Sequence, residues 1–205
     1  MTNPPPSLDS NFESLPLGTE GDVVFGGRLP ADAAPDFEAL WDLHPDSFHQ
    51  IKMFGKQHNM PRWQQSYLRD YAFSGQTAMA KPLPAMLQPM LDWVKANVYD
   101  DLNGLLVNWY DGSLGHYIAA HRDTEPELDA GAPIVTISLG EERIFRMRPY
   151  AAPKKPVVDL TVRDRDVLII PYAVNDTWTH EVPKRSRYQG RRISVTFRSF
   201  DRGQL

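Results

Sequence analysis

From Leu105 to Phe200 the chain reads as short segments rich in β-branched and aromatic residues. They are Leu105–Tyr110, Ile134–Leu139, Arg143–Arg148, Val157–Val162, Val167–Ile170 and Ile193–Phe200, separated by Gly, Pro, Asp and Asn. Segments of even length and spacing without helices between them imply an antiparallel sandwich or jelly roll, not an α/β sheet. The expected class is therefore mainly β with flanking helices. Two helices are expected upstream. Asp36 to Leu43 carries Phe37, Leu40 and Trp41 at helical spacing. Pro84 to Val98 carries an apolar stripe of Met86, Leu87, Met90, Leu91, Val94 and Val98, with Pro89 in its first turn or kinking it.

At 205 residues the chain has room for one domain with a real core, or one domain plus an arm. The hydrophobic share of 41% is that of a soluble globular protein, and neither a long apolar run nor a signal segment is present. There is no cysteine, which excludes disulfides and thiolate metal sites and is compatible with a reducing cytosol. Residues 1–20, with Pro4-Pro5-Pro6, are expected to be a disordered arm ahead of a single domain over 21–205. The charge is uneven. Residues 1–46 hold nine acids and one base, Arg28, a balance of -8, which leaves +4 on the rest of a chain whose total is -4. A mildly basic body is able to meet a phosphate backbone, although +4 is also an ordinary surface.

Of six histidines, only His180 lies after Asp123. In extended backbone residues i and i+2 share a face, so His121 and Asp123 aim an imidazole and a carboxylate at one point. With His180 they compose the two-histidine, one-carboxylate triad that holds non-haem Fe(II) and leaves positions open for a co-substrate and O2. An H-x-D pair alone also arises by chance at surfaces. Further on, Arg192, Ser194, Thr196 and Arg198 alternate with Ile193, Val195 and Phe197. Two inward guanidiniums need anions, and a dicarboxylate such as 2-oxoglutarate supplies one for each; an outward strand with its arginines in water is the alternative. Asn108 and Tyr110 share a strand face and are able to donate to a carboxylate, or simply end a strand before Asp111-Gly112.

In this order, Asn108-x-Tyr110-x-Gly112, His121-Arg122-Asp123-x-Glu125, Ile137-Ser138-Leu139-Gly140, His180 and Arg192-x-Ser194-x-Thr196-Phe197-Arg198 resemble the AlkB family of Fe(II)/2-oxoglutarate dioxygenases. Phe54-Gly55-Lys56, Met60-Pro61-Arg62 and Tyr71-Ala72-Phe73-Ser74-Gly75 resemble that family's nucleotide-recognition region, most of all in the branch repairing alkylated duplex DNA. The resemblance covers residues 37–200. It implies a double-stranded β-helix (jelly roll) over about 104–200 with a nucleotide-recognition lid over about 50–82. It implies that His121, Asp123 and His180 bind iron, and that Asn108, Tyr110, Arg192, Ser194 and Arg198 hold 2-oxoglutarate. It implies that Glu125 reads the exocyclic amine of a flipped base, with Arg62, Tyr71 and Phe73 in the recognition region and Phe54 as a wedge into the base stack. Ser194 stands where many relatives have Asn, and the stretch between Arg62 and Tyr71 is short for the duplex-repair branch.

The expected activity is oxidative dealkylation of bases of the 1-methyladenine or 3-methylcytosine type. The products are aldehyde, succinate and CO2, and the cofactors Fe(II), 2-oxoglutarate and O2. The expected partner is nucleic acid, DNA ahead of RNA, with no membrane, acted on by a monomer that is cytoplasmic, nucleoid-associated if bacterial and nuclear if eukaryotic. Chemistry of this kind needs the base outside the stack, with the hole filled and the base held on aromatic rings. For Phe54 and Phe73 taken singly, core packing is the alternative. Lys184, Arg185, Arg187 and Arg191 form either a phosphate-contacting rim or a solvated loop. Two rival classes are the same oxygenase chemistry on a protein side chain or metabolite, and a nucleic-acid-binding module without turnover.

Overall fold

The alternation along the last strand organises the molecule. The computed structural model describes residues 12–18, 21–53, 55–73, 76–125, 127–152 and 157–201. Phe54 and the side chain of Phe73 lie outside the described set. The chain opens with β1 (Glu13–Pro16), β2 (Val23–Arg28) and α1 (Phe37–Trp41). Two hairpins and a strand follow: β3 (Gln50–Met53), β4 (Lys56–Asn59), β5 (Trp63–Tyr67), β6 (Tyr71–Phe73) and β7 (Gln76–Ala78). After α2 (Gln88–Asn97) come β8 (Gly104–Asp111), β9 (Ile118–His121), β10 (Ile134–Gly140) and β11 (Arg143–Pro149). The chain ends with β12 (Val158–Val162), β13 (Asp166–Ile170), α3 (Tyr172–Thr177), β14 (Trp178–Val182) and β15 (Arg191–Arg198).

One seven-stranded sheet has the order β1-β2-β13-β10-β15-β8-β5, and a four-stranded sheet has the order β12-β11-β14-β9. All their pairings are antiparallel. Ile193, Val195 and Phe197 of β15 face outward with Val107, Trp109, Val135 and Ile137, and pack under Leu40, Met90, Leu91 and Val94 of α1 and α2. A second cluster joins the sheets: Ile134, Leu168 and Ile170 meet Phe145, Met147, Trp178 and Val182. Two sheets face to face over this core give the jelly roll that the segment spacing implied.

Two local differences from the sequence expectation have plain causes. Within the segment 1–20 expected to be an arm, Glu13–Pro16 pairs with β2 in the large sheet and Leu17 is buried at its end. Its prolines and polar residues hid a four-residue edge strand, where a proline is tolerated. The stripe from Pro84 is a 3-10 turn (Ala85–Leu87) leading into α2, with Pro89 in the first turn, where its missing N–H costs nothing. Among the described residues no helix is long and apolar enough to cross a membrane.

Candidate active site

The inner face of the large sheet is polar where the outer face is apolar. Register sets two rows across it. One runs Gln64, Asn108, Ser194, Ser138 through β5, β8, β15 and β10. The next pairs Tyr110 with Arg192, and Arg62, one residue before β5, extends that row on the other side of Tyr110. The last residue of β10, Gly140, holds φ +84°, and a Cβ there would stand 2.5 Å from the Arg191 carbonyl oxygen, so only glycine lets β15 start where it does. A cavity of about 300 Å³ opens over this face, lined among others by Arg62, Asn108, His121, His180, Arg192 and Arg198.

His121 ends β9, and register pairs it with His180 on β14. Their rings lie 4.3 Å apart between centroids. The Nδ1–H of His121 donates to the Ala119 carbonyl at 2.9 Å, which leaves Nε2 with its lone pair, 3.8 Å from Oδ1 of Asp123. Donor atoms of His121, Asp123 and His180 lie within 4.8 Å of one another. Asp123 is gripped from two sides. Arg198 donates Nε and Nη2 to its Oδ2 at 2.9 and 2.7 Å. Asn175 binds its backbone reciprocally: the Asp123 N–H donates to Asn175 Oδ1 at 3.0 Å, and Asn175 Nδ2 donates to the Asp123 carbonyl at 2.8 Å. Burial alone would push the Asp123 carboxyl up, but Arg198 and the two histidines pull it down to about 2. Burial, helped by His121, pushes His180 down to about 3, and burial also lowers His121, so both imidazoles are neutral ligands at pH 7.

A cation fits this set. Oδ1 of Asp123 and Nδ1 of His180 are buried without a hydrogen-bond partner. Orphaned buried polar atoms are costly, and the bare Asp123 Oδ1 beside the free His121 Nε2 and an imidazole of His180 is what a divalent ion satisfies.

The model of the 2OG-Fe(II) oxygenase superfamily matches residues 41–198. DNA oxidative demethylase ALKBH2 of Mus musculus is 35% identical over 89% of this chain and 80% of its own length. The chain belongs to the AlkB family of 2OG-Fe(II) oxygenases. ALKBH2 of Homo sapiens is 31% identical over 86% of this chain and 70% of its own length. A solved structure, that of OsALKBH1, shares the fold of this AlkB-family chain, with a TM-score of 0.51 over 79% of this chain and 90% of that one, at 17% identity. The enzyme is thus a dioxygenase that uses Fe(II), 2-oxoglutarate and O2, with His121, Asp123 and His180 as its metal triad.

The remaining expected residues fall as follows in this AlkB-family chain. Asn108, Tyr110, Arg192 and Ser194 gather on the inner face and line the cavity. Arg192 is 1% exposed; its Nε donates to Ser138 Oγ at 2.7 Å, its guanidinium lies 5.1 Å from the Tyr110 ring centroid, and its Nη1 has no partner. Arg198 also lines the cavity, with its charge already balanced by Asp123; burial lowers its pKa, but Asp123 outweighs that and the net direction is up. Arg62 is buried against Asn108. Tyr71 lines the same cavity, holds a hydrogen bond to Glu125, and its ring lies 5.1 Å from the Arg198 guanidinium. Glu125 itself lines a neighbouring cavity of about 460 Å³ with Arg69, Asp70 and Phe200. The basic rim is partly neutralised: Arg185 pairs with Asp159 at 3.6 Å and Arg191 with Glu38 at 2.6 Å.

Sequence reasoning missed Asn175, which holds Asp123 from α3, 52 positions away. Nothing in its local sequence marks it. It also missed the brace behind Arg192. Glu141 accepts from the N–H groups of Gln189 and Gly190 at 3.1 and 2.9 Å and pairs with buried Arg143 at 2.6 Å. Arg143 in turn lies over the Tyr188 ring at 4.2 Å. This fixes the turn from which β15 departs.

Proposed function

We propose that this enzyme oxidatively dealkylates N-alkylated bases of the 1-methyladenine or 3-methylcytosine type in DNA, releasing aldehyde, succinate and CO2. The relatives named DNA oxidative demethylase support the substrate class. The observation in the chain that carries it is Glu125. Its Oε2 is buried without a partner, and its carboxylate is tied to Tyr71, which lines the iron cavity. A bare carboxylate oxygen there is matched to a donor, and the exocyclic amine of a base is one.

Iron and 2-oxoglutarate, when bound, would supply with O2 the oxidising chemistry needed at the N-alkyl carbon. The chain's residues position. The Ala119 carbonyl fixes the His121 tautomer, and Arg198 with Asn175 fixes Asp123, so that the triad is preorganised before metal arrives. Asn108, Tyr110, Arg192 and Ser194 hold the co-substrate on the sheet face, and Arg198 adds a donor near the metal. Tyr71, beside Glu125, borders the place of the base. Phe54, between β3 and β4 in the sequence, is read as the residue that fills the stack and Phe73 as part of the recognition lid. The protein is read as a monomer that works where nucleic acid lies, in cytoplasm, nucleoid or nucleus.

The test is mass spectrometry of 1-methyladenine and 3-methylcytosine oligonucleotides incubated with protein, Fe(II), ascorbate and 2-oxoglutarate. A loss of about 14 Da per lesion, one methylene, is expected. Inactivity on all methylated DNA and RNA, with turnover on a peptide or metabolite, refutes the substrate.

A further inference from the structure

Two buried cations in the iron cavity have no counter-charge. Among the described residues no carboxylate comes within 4.0 Å of Arg62 or Arg192, whereas Arg198 is matched by Asp123. Burial lowers the pKa of both unmatched arginines. Arg62 donates Nε to Oδ1 of Asn108 at 2.7 Å and Nη2 to Oε1 of Gln64 at 3.3 Å. An arginine only donates, so each amide must turn its oxygen to Arg62 and its NH2 away. The amide orientations that X-ray density seldom fixes are therefore fixed by chemistry. Gln64 is 0% exposed, lines the cavity, and its Nε2 is left without a partner.

Register places these groups together. Gln64 stands directly beside Asn108, and Asn108 beside Ser194; in the adjoining row Tyr110 stands beside Arg192. Arg62, Gln64, Asn108, Tyr110 and Arg192 all present donors to one space, with no anion among them. A wall of that kind, carrying two unbalanced positive charges, is complementary to a carboxylate. Leaving it bare would strand a buried amide donor and two desolvated cations.

We propose that Gln64 is a binding residue for the carboxylate of the co-substrate, its Nε2 donating to that group, with Arg62 as the positioning residue that turns both Gln64 and Asn108 toward it. This rests on the reading of Asn108, Tyr110 and Arg192 as the co-substrate site. It gives β5, the strand between the two lid hairpins, a part in holding 2-oxoglutarate and not only the nucleic acid.

The experiment titrates 2-oxoglutarate calorimetrically into Mn(II)-loaded protein, for the parent, Gln64→Glu, Gln64→Leu and Arg192→Ala. Binding of a methylated oligonucleotide and the ligand-free melting temperature are measured alongside. Gln64→Glu is isosteric, turns a donor into an acceptor, and gives Arg62 a carboxylate. It is expected to melt no lower than the parent and to bind 2-oxoglutarate about ten- to a hundredfold more weakly, from the lost hydrogen bond to a charged group together with the repulsion between two carboxylates. Gln64→Leu is expected to lose less, because it adds no repulsion, and oligonucleotide affinity is expected to hold in both. Parent-like 2-oxoglutarate affinity in both Gln64 variants, or a loss confined to the oligonucleotide, overturns the proposal. So does failure of both to fold, which makes Gln64 a framework residue. If Arg192→Ala weakens 2-oxoglutarate and the Gln64 variants do not, only this inference fails. If Arg192→Ala also binds normally, the co-substrate reading itself fails.

Discussion

Arg198 holds Asp123 by a single oxygen: Nε and Nη2 both reach Oδ2, at 2.9 and 2.7 Å, and Oδ1 is left to face His121 and His180. The arginine thereby divides the carboxylate into a structural half and a ligand half. The pair is buried, with side-chain exposures of 5% and 0%. Breaking such a pair strands a charge and costs about 3–5 kcal/mol.

That cost depends on metal. In Arg198→Met the metal-free protein is expected to lose about 3–5 kcal/mol, since Asp123 is buried uncompensated. A divalent cation restores a counter-charge, so Mn(II) should raise the variant's melting temperature more than the parent's. Equal melting shifts on adding Mn(II) to both proteins would count against the division of roles.

Asn175 is expected to govern metal affinity without touching metal. Its two bonds to the Asp123 backbone set where the carboxylate stands. Outer-shell partners of this kind are worth about 10–100-fold in metal affinity. Asn175→Ala should weaken Fe(II) or Mn(II) binding by roughly that factor while the circular-dichroism spectrum is unchanged. Normal metal affinity would reduce Asn175 to a cap on α3.

Arg192 is proposed to hold the co-substrate. Its Nη1 is an unpaired buried donor, while its Nε is held by Ser138. Arg192→Ala should raise the 2-oxoglutarate concentration for half-maximal rate by about tenfold or more, as for a charge-assisted bond worth roughly 1.5–3 kcal/mol. Iron affinity should stay as in the parent. An unchanged requirement for 2-oxoglutarate would make the arginine structural.

The polar face of β15 is legible in the sequence alone. The period-2 alternation of Arg192, Ser194, Thr196 and Arg198 marks it, because one register choice buries either all of them or none. The H-x-D pair is legible for the same reason, and His180 because no other histidine follows Asp123. What is not legible depends on partners far along the chain. Alternation presents Arg198 as a free cation for a co-substrate; that it first clamps Asp123 requires β15 to pass beside residue 123. Asn175, Gln64 and the Glu141–Arg143 brace are of the same kind, polar residues whose meaning comes from register and crossing. The strand at 13–16 is hidden by composition, since an edge strand needs only one neighbour and little apolar sequence.

A Glu125 variant is expected to separate chemistry from recognition. The residue lies outside the triad and its hydrogen bond goes to Tyr71, so Glu125→Ala should leave uncoupled 2-oxoglutarate turnover in place. Turnover coupled to 1-methyladenine or 3-methylcytosine should fall by about tenfold or more, the scale of one lost hydrogen bond to a charged group. Coupled repair at the parent's rate would exclude Glu125 from base recognition.

Central to the proposed function is a coupling in which the His121, Asp123 and His180 site ties consumption of 2-oxoglutarate to removal of an alkyl group from a base. It is tested most directly by measuring succinate and formaldehyde together, with a 1-methyladenine oligonucleotide as substrate. One formaldehyde for each succinate above the substrate-free background is expected in the parent, and neither product in a folded Asp123→Ala variant. Succinate that rises without formaldehyde on every methylated oligonucleotide, or equal product from Asp123→Ala, would contradict the coupling.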